Sequence, residues 1–221
     1  MLGNKYSNFL TILLVIVVVA IVVGLIFLGV RFFRSGESTE DAIKRFEQNV
    51  GSVSEEDPEE ELEISEIGAP TGNSSSGGGT GYKKQYYEEY VMVGYIEIPK
   101  TKVKLPILEK GTDKSLDKSV AVMYPSNPTE KLNKAGNVVI MGHNYRNGKF
   151  FSDNKKLATG DKIIITDYTG AKLTYTIYEK YETTPEDTSF ITRDTKGAIE
   201  ITLSTCTDDT ARRTIIKAKA N

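Results

Sequence analysis

The chain has 221 residues, enough for one ordinary domain with additional segments but hardly for two full domains. Its formal net charge is −2 and 26% of its residues are charged, which excludes a generally basic nucleic-acid-binding protein. Cys206 is the single cysteine and His143 the single histidine, so an internal disulfide is impossible and a structural zinc site is nearly excluded. We expect neither a metal nor another cofactor.

Residues 9–30 form an apolar run whose one polar side chain is that of Thr11. A helix of this length is about 33 Å long, enough to cross a bilayer core of about 30 Å. The run is also longer than the apolar part of a cleaved signal peptide, which has about 7–15 residues. We therefore predict a transmembrane anchor at 9–30, preceded by a short N-terminal segment at 1–8.

Residues 31–81 have the composition of a linker. Residues 36–70 hold twelve acidic and two basic side chains, and blocks of like charge usually stay solvated. The Gly/Ser-rich stretch 71–79 predicts a flexible coil. A partner-binding acidic patch is the alternative interpretation. Four apolar residues within the linker recur at the spacing of a short amphipathic helix: Ala42, Ile43, Phe46 and Val50.

The remaining sequence, taken as a domain at 82–221, alternates short β-like runs with turn residues. The eight predicted strands are 91–98, 103–108, 120–124, 138–141, 162–167, 173–181, 199–204 and 214–218. Eight short strands in about 130 residues predict a closed barrel or a sandwich. One short helix is predicted at 149–157, with Phe150, Phe151 and Leu157 facing inward.

Three kinds of reactive side chain fall at the ends of predicted strands. His143 follows one strand, Cys206 ends another, and Arg212 and Arg213 open the last. Such a set suits nucleophilic catalysis, in which a thiolate attacks a carbonyl, a histidine protonates the leaving amine and an arginine stabilises the oxyanion. From the pattern alone, a buried inert cysteine, a structural histidine and surface arginines remain alternatives.

The local sequence words resemble those of sortases. Residues 202–206 read TLSTC, and Arg213 follows Cys206 by seven residues, as in the T-L-x-T-C…R-x-I/L signature of that family. The word GHN around His143 lies about sixty residues upstream, where the family has its histidine. The stretches 96–99 and 103–107 look like the family's opening strands. The resemblance covers residues 90–219.

The resemblance implies a mainly β fold, an eight-stranded closed barrel with one or two short helices, and a cysteine transpeptidase. Matched by position, Cys206 is the nucleophile, His143 the general acid and base, and Arg213 the group that stabilises substrate and oxyanion. Thr205 and Asn144 are implied to contact the substrate.

Arg213 is preferred over Arg212 because the family word has an apolar residue two positions after its arginine, which is Ile215 for Arg213. Neighbouring side chains of a strand point to opposite faces, so the two arginines cannot both face the thiol. A register slip of one residue would reverse the assignment.

The resemblance also implies substrates and a location. A sortase cleaves an LPxTG-like sorting signal after its threonine, forms a thioacyl enzyme, and transfers the surface protein to an amine of a peptidoglycan precursor or a pilin. No nucleic acid is involved. The flanking positive charges, Lys5 and the α-amino group on one side of the anchor and Arg31 and Arg34 on the other, do not decide its orientation. The family layout implies a single-pass protein of the Gram-positive cell membrane, with 1–8 cytoplasmic and the domain extracellular.

The sequence words do not identify one subclass of the family. The words GHN and GKFF, the latter at 148–151, resemble class B, but the stretch 182–197 is too short for the long helix of that class. Class C is disfavoured because Asp57-Pro58 is followed by Glu59, not by an aromatic residue. Classes A, B, D and E stay open.

Two other functions are compatible with parts of the sequence. The first is a membrane-tethered β-barrel binding module in which Cys206 and His143 are incidental. The second is another cysteine acyl-transfer enzyme of the cell wall, an L,D-transpeptidase. That family needs an S-H-G-C-x-R word, and no histidine lies near Cys206 in the sequence.

Overall fold

The strands in the described part of the chain form one sheet that closes on itself. The computed structural model describes residues 13–23, 25, 38–51 and 84–221. Thr39–Asn221 forms one compact unit. Its elements in chain order are α1 (Thr39–Gly51), β1 (Gln85–Tyr87), β2 (Tyr90–Ile98), a 3-10 turn (Pro99–Thr101), β3 (Val103–Leu108), α2 (Asp113–Leu116), β4 (Val120–Tyr124), a 3-10 turn (Pro128–Glu130), β5 (Gly136–Met141), a 3-10 turn (Asn154–Lys156), β6 (Lys162–Asp167), β7 (Lys172–Thr183), β8 (Ile199–Cys206) and β9 (Arg213–Ala220).

The barrel consists of strands β2 to β9. The strand order is β1-β2-β3-β4-β5-β8-β9-β7-β6, and β2 also pairs with β6, which closes the ring. Pairing is parallel for β3 with β4 and for β5 with β8, and antiparallel for the other pairs of strands described. The predicted eight-stranded closed barrel is confirmed. Strand β1, an addition at the edge of β2, was not predicted because three residues are too few for a periodic pattern.

Apolar side chains fill the barrel because alternate residues of each strand face inward. Members of this core with an exposed fraction of 2% or less include Ile96, Ile107, Val138, Ile140, Leu203 and Ile216. The buried hydroxyl of Tyr175 donates to Oδ1 of Asn133 at 2.9 Å. The core therefore accommodates a phenol without leaving its hydroxyl unpaired.

Helix α1 packs on the outer surface of the barrel through its apolar stripe. Ala42, Ile43 and Phe46 are at most 2% exposed. The ring of Phe46 meets that of Tyr95 edge-on at 6.0 Å, and the Tyr95 hydroxyl donates to Glu47 at 2.7 Å. The predicted amphipathic helix is confirmed. The segment 31–81 is therefore not linker throughout, because 39–51 is folded into the compact unit.

The predicted helix at 149–157 is wrong in type. The segment forms a turn followed by the 3-10 turn Asn154–Lys156. Phe150 has a φ of 50° and pairs with Asn144 in an isolated β-bridge, which is incompatible with an α-helix beginning there. Phe151 and Leu157 are buried as predicted, whereas Phe150 is half-buried.

Residues 13–23 and 25 are helical, and their large apolar side chains are exposed, Leu14 by 65%. The predicted anchor at 9–30 extends beyond these residues in both directions and so lies partly outside the described part of the chain. None of the helices in the described ranges combines the length and the apolar character needed to span a bilayer.

We expect Phe46→Ala to lower the free energy of unfolding of the full-length chain by about 3 kcal/mol, because it leaves a cavity under α1. Urea denaturation followed by circular dichroism measures this change. The control is Lys44→Ala, two residues away on the exposed face of the same helix, with an expected effect within about 0.5 kcal/mol. Equal effects of the two substitutions would mean that α1 is not docked.

Candidate active site

The site lies where β5, β8 and β9 end side by side. In the parallel pair β5–β8, Met141 is the partner of Ser204, so His143 and Cys206 each follow two residues beyond that pair. In the antiparallel pair β8–β9, Cys206 is the direct partner of Arg213. Residues far apart in the sequence are thus brought to one end of the barrel by strand pairing alone.

Cys206 is half-buried and lies against one of the two candidate arginines. Nη1 of Arg213 is 3.8 Å from Sγ of Cys206. The side chain of Arg212 turns away and donates from Nη2 to the backbone oxygen of Glu182 at 3.2 Å. The guanidinium that can stabilise negative charge at the sulfur, or at a group bound to it, is therefore that of Arg213.

The turn between β8 and β9 fixes this pairing. The backbone N–H of Thr207 donates to the oxygen of Arg212 at 2.9 Å, and the N–H of Arg212 donates to Oγ1 of Thr207 at 3.1 Å. These two bonds close the turn immediately beyond Cys206 and Arg213. Sulfur and guanidinium are consequently held on rigid backbone, as a preorganised site requires.

Gly142 allows the chain to pass from β5 to His143. Its N–H donates to the oxygen of Ser204 at 3.2 Å, which extends the β5–β8 pairing by one residue. A Cβ at this position would lie 2.7 Å from the ring of Phe151 and 2.8 Å from a methyl group of Val120. A side chain would push the strand end away from the barrel, and His143 with it.

His143 is partly exposed and contacts groups from two segments. Its ring centroid is 5.0 Å from that of Tyr145, with the planes tilted by 38°. Its Nε2 is 3.6 Å from Oδ1 of Asp117, and the Tyr145 hydroxyl donates to the same oxygen at 2.9 Å. Its backbone oxygen accepts the N–H of Phe151 at 3.1 Å. The imidazole therefore lies between a phenol and a carboxylate, and a backbone hydrogen bond fixes the residue that carries it.

Asn144 joins the two strand ends. Its Nδ2 donates to the backbone oxygen of Cys206 at 3.0 Å and to Oδ1 of Asp208 at 2.9 Å. Lys155 pairs with the other carboxylate oxygen of Asp208 at 2.6 Å. The hydrogen bond from Lys155, and then that from Asn144, lowers the pKa of Asp208. The amide of Asn144, predicted to contact substrate, is thus engaged with protein groups that hold Cys206 in place.

A groove of about 290 Å³ opens beside Cys206. Its lining comprises Asn144, Phe151, Ser152, Lys155, Glu182, Thr205, Cys206, Thr207, Asp208, Asp209 and Thr214. Thr205 is 3% exposed, and its hydroxyl has no hydrogen-bond partner within the described ranges. Both residues that the sequence assigned to substrate contact, Thr205 and Asn144, therefore line one groove.

The connection from β7 to β8 covers the outer face of the strands next to the site. Phe190 is 2% exposed and packs with Val139 and Ile215. Nδ2 of Asn137 donates to the backbone oxygens of Phe190 and Ile191 at 3.0 and 2.9 Å, which ties the connection to β5. Residues 184–198 contain neither helix nor strand, in keeping with a stretch too short for an inserted long helix.

Sequence reasoning missed three residues that contact candidate site residues: Asp117 and Tyr145 lie beside His143, and Asp208 binds Asn144. The position of Asp208 two residues after Cys206 was a usable signal. Nothing in the sequence marks Asp117, which reaches His143 only because β4 lies beside β5. Within 13–23, 25, 38–51 and 84–221, no group of three His, Cys, Asp or Glu side chains is arranged to hold a metal ion.

Comparisons with known proteins agree with this geometry. A family model described as the Sortase domain matches residues 96–221. Sortase A of Bacillus anthracis is 31% identical over 128 residues, which are 57% of this chain and 58% of that protein. The match thus spans less than two thirds of that relative's length.

Solved structures show similar folds. Sortase A from Corynebacterium diphtheriae is 27% identical with a TM-score of 0.54, and the match covers 60% of this chain and 62% of that one. The Clostridium perfringens Sortase D5 transpeptidase is 30% identical with a TM-score of 0.51, covering 59% of this chain and 79% of that one.

Proposed function

The chain belongs to the sortase family, and from that premise we propose that it is a cysteine transpeptidase of cell-surface proteins. The proposal rests on one observation. Sγ of Cys206 lies 3.8 Å from Nη1 of Arg213, and His143 follows the neighbouring parallel strand. A thiol, a cation and an imidazole are the groups that acyl transfer through a thioester requires.

The first half of the reaction forms the thioester. The thiolate of Cys206 attacks the scissile carbonyl carbon, and the carbonyl oxygen gains negative charge near the Arg213 guanidinium. When the carbon–nitrogen bond breaks, protonated His143 gives its proton to the departing amine. The acyl group is then held on sulfur and the leaving peptide is released.

The second half transfers the acyl group. An acceptor amine attacks the thioester carbonyl while neutral His143 removes a proton from its nitrogen. The carbon–sulfur bond breaks and the thiolate of Cys206 is regenerated, so the cycle consumes no cofactor. Arg213 again faces the oxygen that becomes negative.

For the substrate we propose an LPxTG-like sorting signal, cleaved after threonine, with an amine of a peptidoglycan precursor or a pilin as acceptor. The groove beside Cys206 supports binding of an extended peptide next to the thiol. Thr205 lines this groove next to the thiol. Asn144 would act by holding the Cys206 backbone at the edge of this groove.

Incubating the full-length chain with an LPxTG-type peptide and an amine acceptor tests the proposal, with the transfer product measured by mass. We expect Cys206→Ala to abolish transfer and leave the circular dichroism spectrum unchanged, because no second thiol exists and the side chain is only half-buried. Turnover of the variant within tenfold of the unmodified chain would overturn the assignment. Absence of transfer by the unmodified chain itself would favour a binding module.

The two arginines provide a matched pair of variants. We expect Arg213→Lys to slow transfer by about 10²–10³-fold, because lysine lacks the planar fork that can bond both to sulfur and to the carbonyl oxygen. Arg212→Lys should leave the rate within about threefold, since its side chain bonds to the backbone oxygen of Glu182, whereas it is Arg213 that contacts the sulfur. Steady-state kinetics with one peptide and one acceptor compares them. The reverse ranking would assign the role to Arg212.

We also propose that residues 9–30 anchor the protein in the cell membrane, with 1–8 cytoplasmic and the catalytic domain extracellular. The exposed apolar side chains of helical residues 13–23 support the anchoring, and the orientation follows from the family layout. Protease added to intact cells stripped of their wall should remove the domain at 82–221. Complete protection of the domain in such cells would mean that the orientation is the reverse of the one proposed.

A further inference from the structure

A carboxylate outside the three reacting groups lies beside the imidazole. Asp117 directly follows α2. Its backbone N–H donates to the backbone oxygen of Asp113, the first residue of that short helix. The start of α2 is fixed by Thr112 and Ser115, whose side chains each accept the other's backbone N–H. The backbone that carries Asp117 is therefore well anchored.

Two groups lie beside the Asp117 carboxylate. The Tyr145 hydroxyl orients it, and the His143 imidazole is close enough to respond to its charge. Its Oδ1 accepts the Tyr145 hydroxyl at 2.9 Å, and the same oxygen is 3.6 Å from Nε2 of His143. Tyr145 also packs against the imidazole at 5.0 Å and against Phe150 at 5.6 Å between ring centroids. Phenol, carboxylate and imidazole thus form a closed triangle.

Exposure limits how strong this contact can be. The Asp117 side chain is 63% exposed and that of His143 37% exposed, so water screens their attraction. The hydrogen bond from Tyr145 compensates in part, because it holds the carboxylate in the position that faces Nε2. The contact suits orientation of the ring better than stabilisation of the fold.

We propose that Asp117, held by Tyr145, is a positioning residue for His143. The carboxylate faces Nε2, favours a proton there, and leaves Nδ1 of the ring for proton exchange with the substrate and the acceptor. This role rests on the proposed transpeptidation, in which His143 must carry a proton in one half of the cycle and lose it in the other. An anion beside the ring stabilises the protonated form.

Among the titratable groups at this end of the barrel, Tyr145 from the segment after β5 contacts the ring, and Cys206 and Arg213 lie at the end of β8 and the start of β9. Partial burial, and then the hydrogen bond to Asp117, raises the pKa of Tyr145, so its phenol stays protonated near neutral pH. Asp117 is consequently the group whose charge can be removed without touching the reacting atoms.

The experiment uses the fact that His143 is the one histidine of the chain, so its imidazole NMR signals are unambiguous. We expect Asp117→Asn in the full-length chain to move the titration midpoint of these signals down by about half a pH unit. Asp113→Asn, in the same short helix, is the matched control and should move the midpoint by less than about 0.1 pH unit. Tyr145→Phe should give a smaller shift in the direction of Asp117→Asn.

Kinetics supply the second readout. For Asp117→Asn we expect kcat to fall about fivefold at little change in KM, and the acidic limb of its pH profile to move with the NMR midpoint. Identical midpoints for Asp117→Asn and Asp113→Asn would overturn the positioning role. A shifted midpoint in a chain that transfers no peptide would support the contact and overturn the proposed function instead.

Discussion

The pairing of β8 with a parallel neighbour on one side and an antiparallel neighbour on the other is the constraint on which the site depends. Parallel pairing aligns the end of β5 with that of β8, and antiparallel pairing sets the start of β9 against the same end. These pairings bring His143, Cys206 and Arg213 to one end of the barrel, with Arg213 in contact with Cys206, and with His143 two residues beyond the end of β5. A slip of one residue in either pairing would turn a reacting side chain to the other face.

Several local features protect that alignment. Gly142 lets β5 pass against Phe151, where a Cβ would lie within 2.7 Å of the ring. Asn144 binds the backbone oxygen of Cys206, and the turn after Cys206 is closed by hydrogen bonds between Thr207 and Arg212. These contacts are polar and lie at the barrel rim, whereas the apolar core below them supplies rigidity. Polar contacts at the rim above a rigid apolar core suit a site whose geometry must be precise and which a peptide must still reach.

The sequence predicted the strands well because each has a clear apolar pattern between turn residues. It predicted α1 from the spacing of Ala42, Ile43 and Phe46. It failed at 149–157, where the positive φ of Phe150 and its bridge to Asn144 override an apolar pattern that suits a helix. The three reactive residues could be proposed from short words, but Asp117 could not. Its approach to His143 depends on which strands are neighbours, and no local pattern records that.

The proposed reaction requires that Cys206 carries the acyl group during transfer. Brief incubation of the full-length chain with an LPxTG-type peptide and no acceptor, followed by intact-mass measurement and peptide mapping, tests it directly. We expect a mass increase equal to the acyl fragment, located on the peptide that contains Cys206 and removed by neutral hydroxylamine, as a thioester requires. An adduct on another residue would contradict the role of Cys206. So would the absence of any adduct in a chain that still transfers the peptide once an acceptor is added.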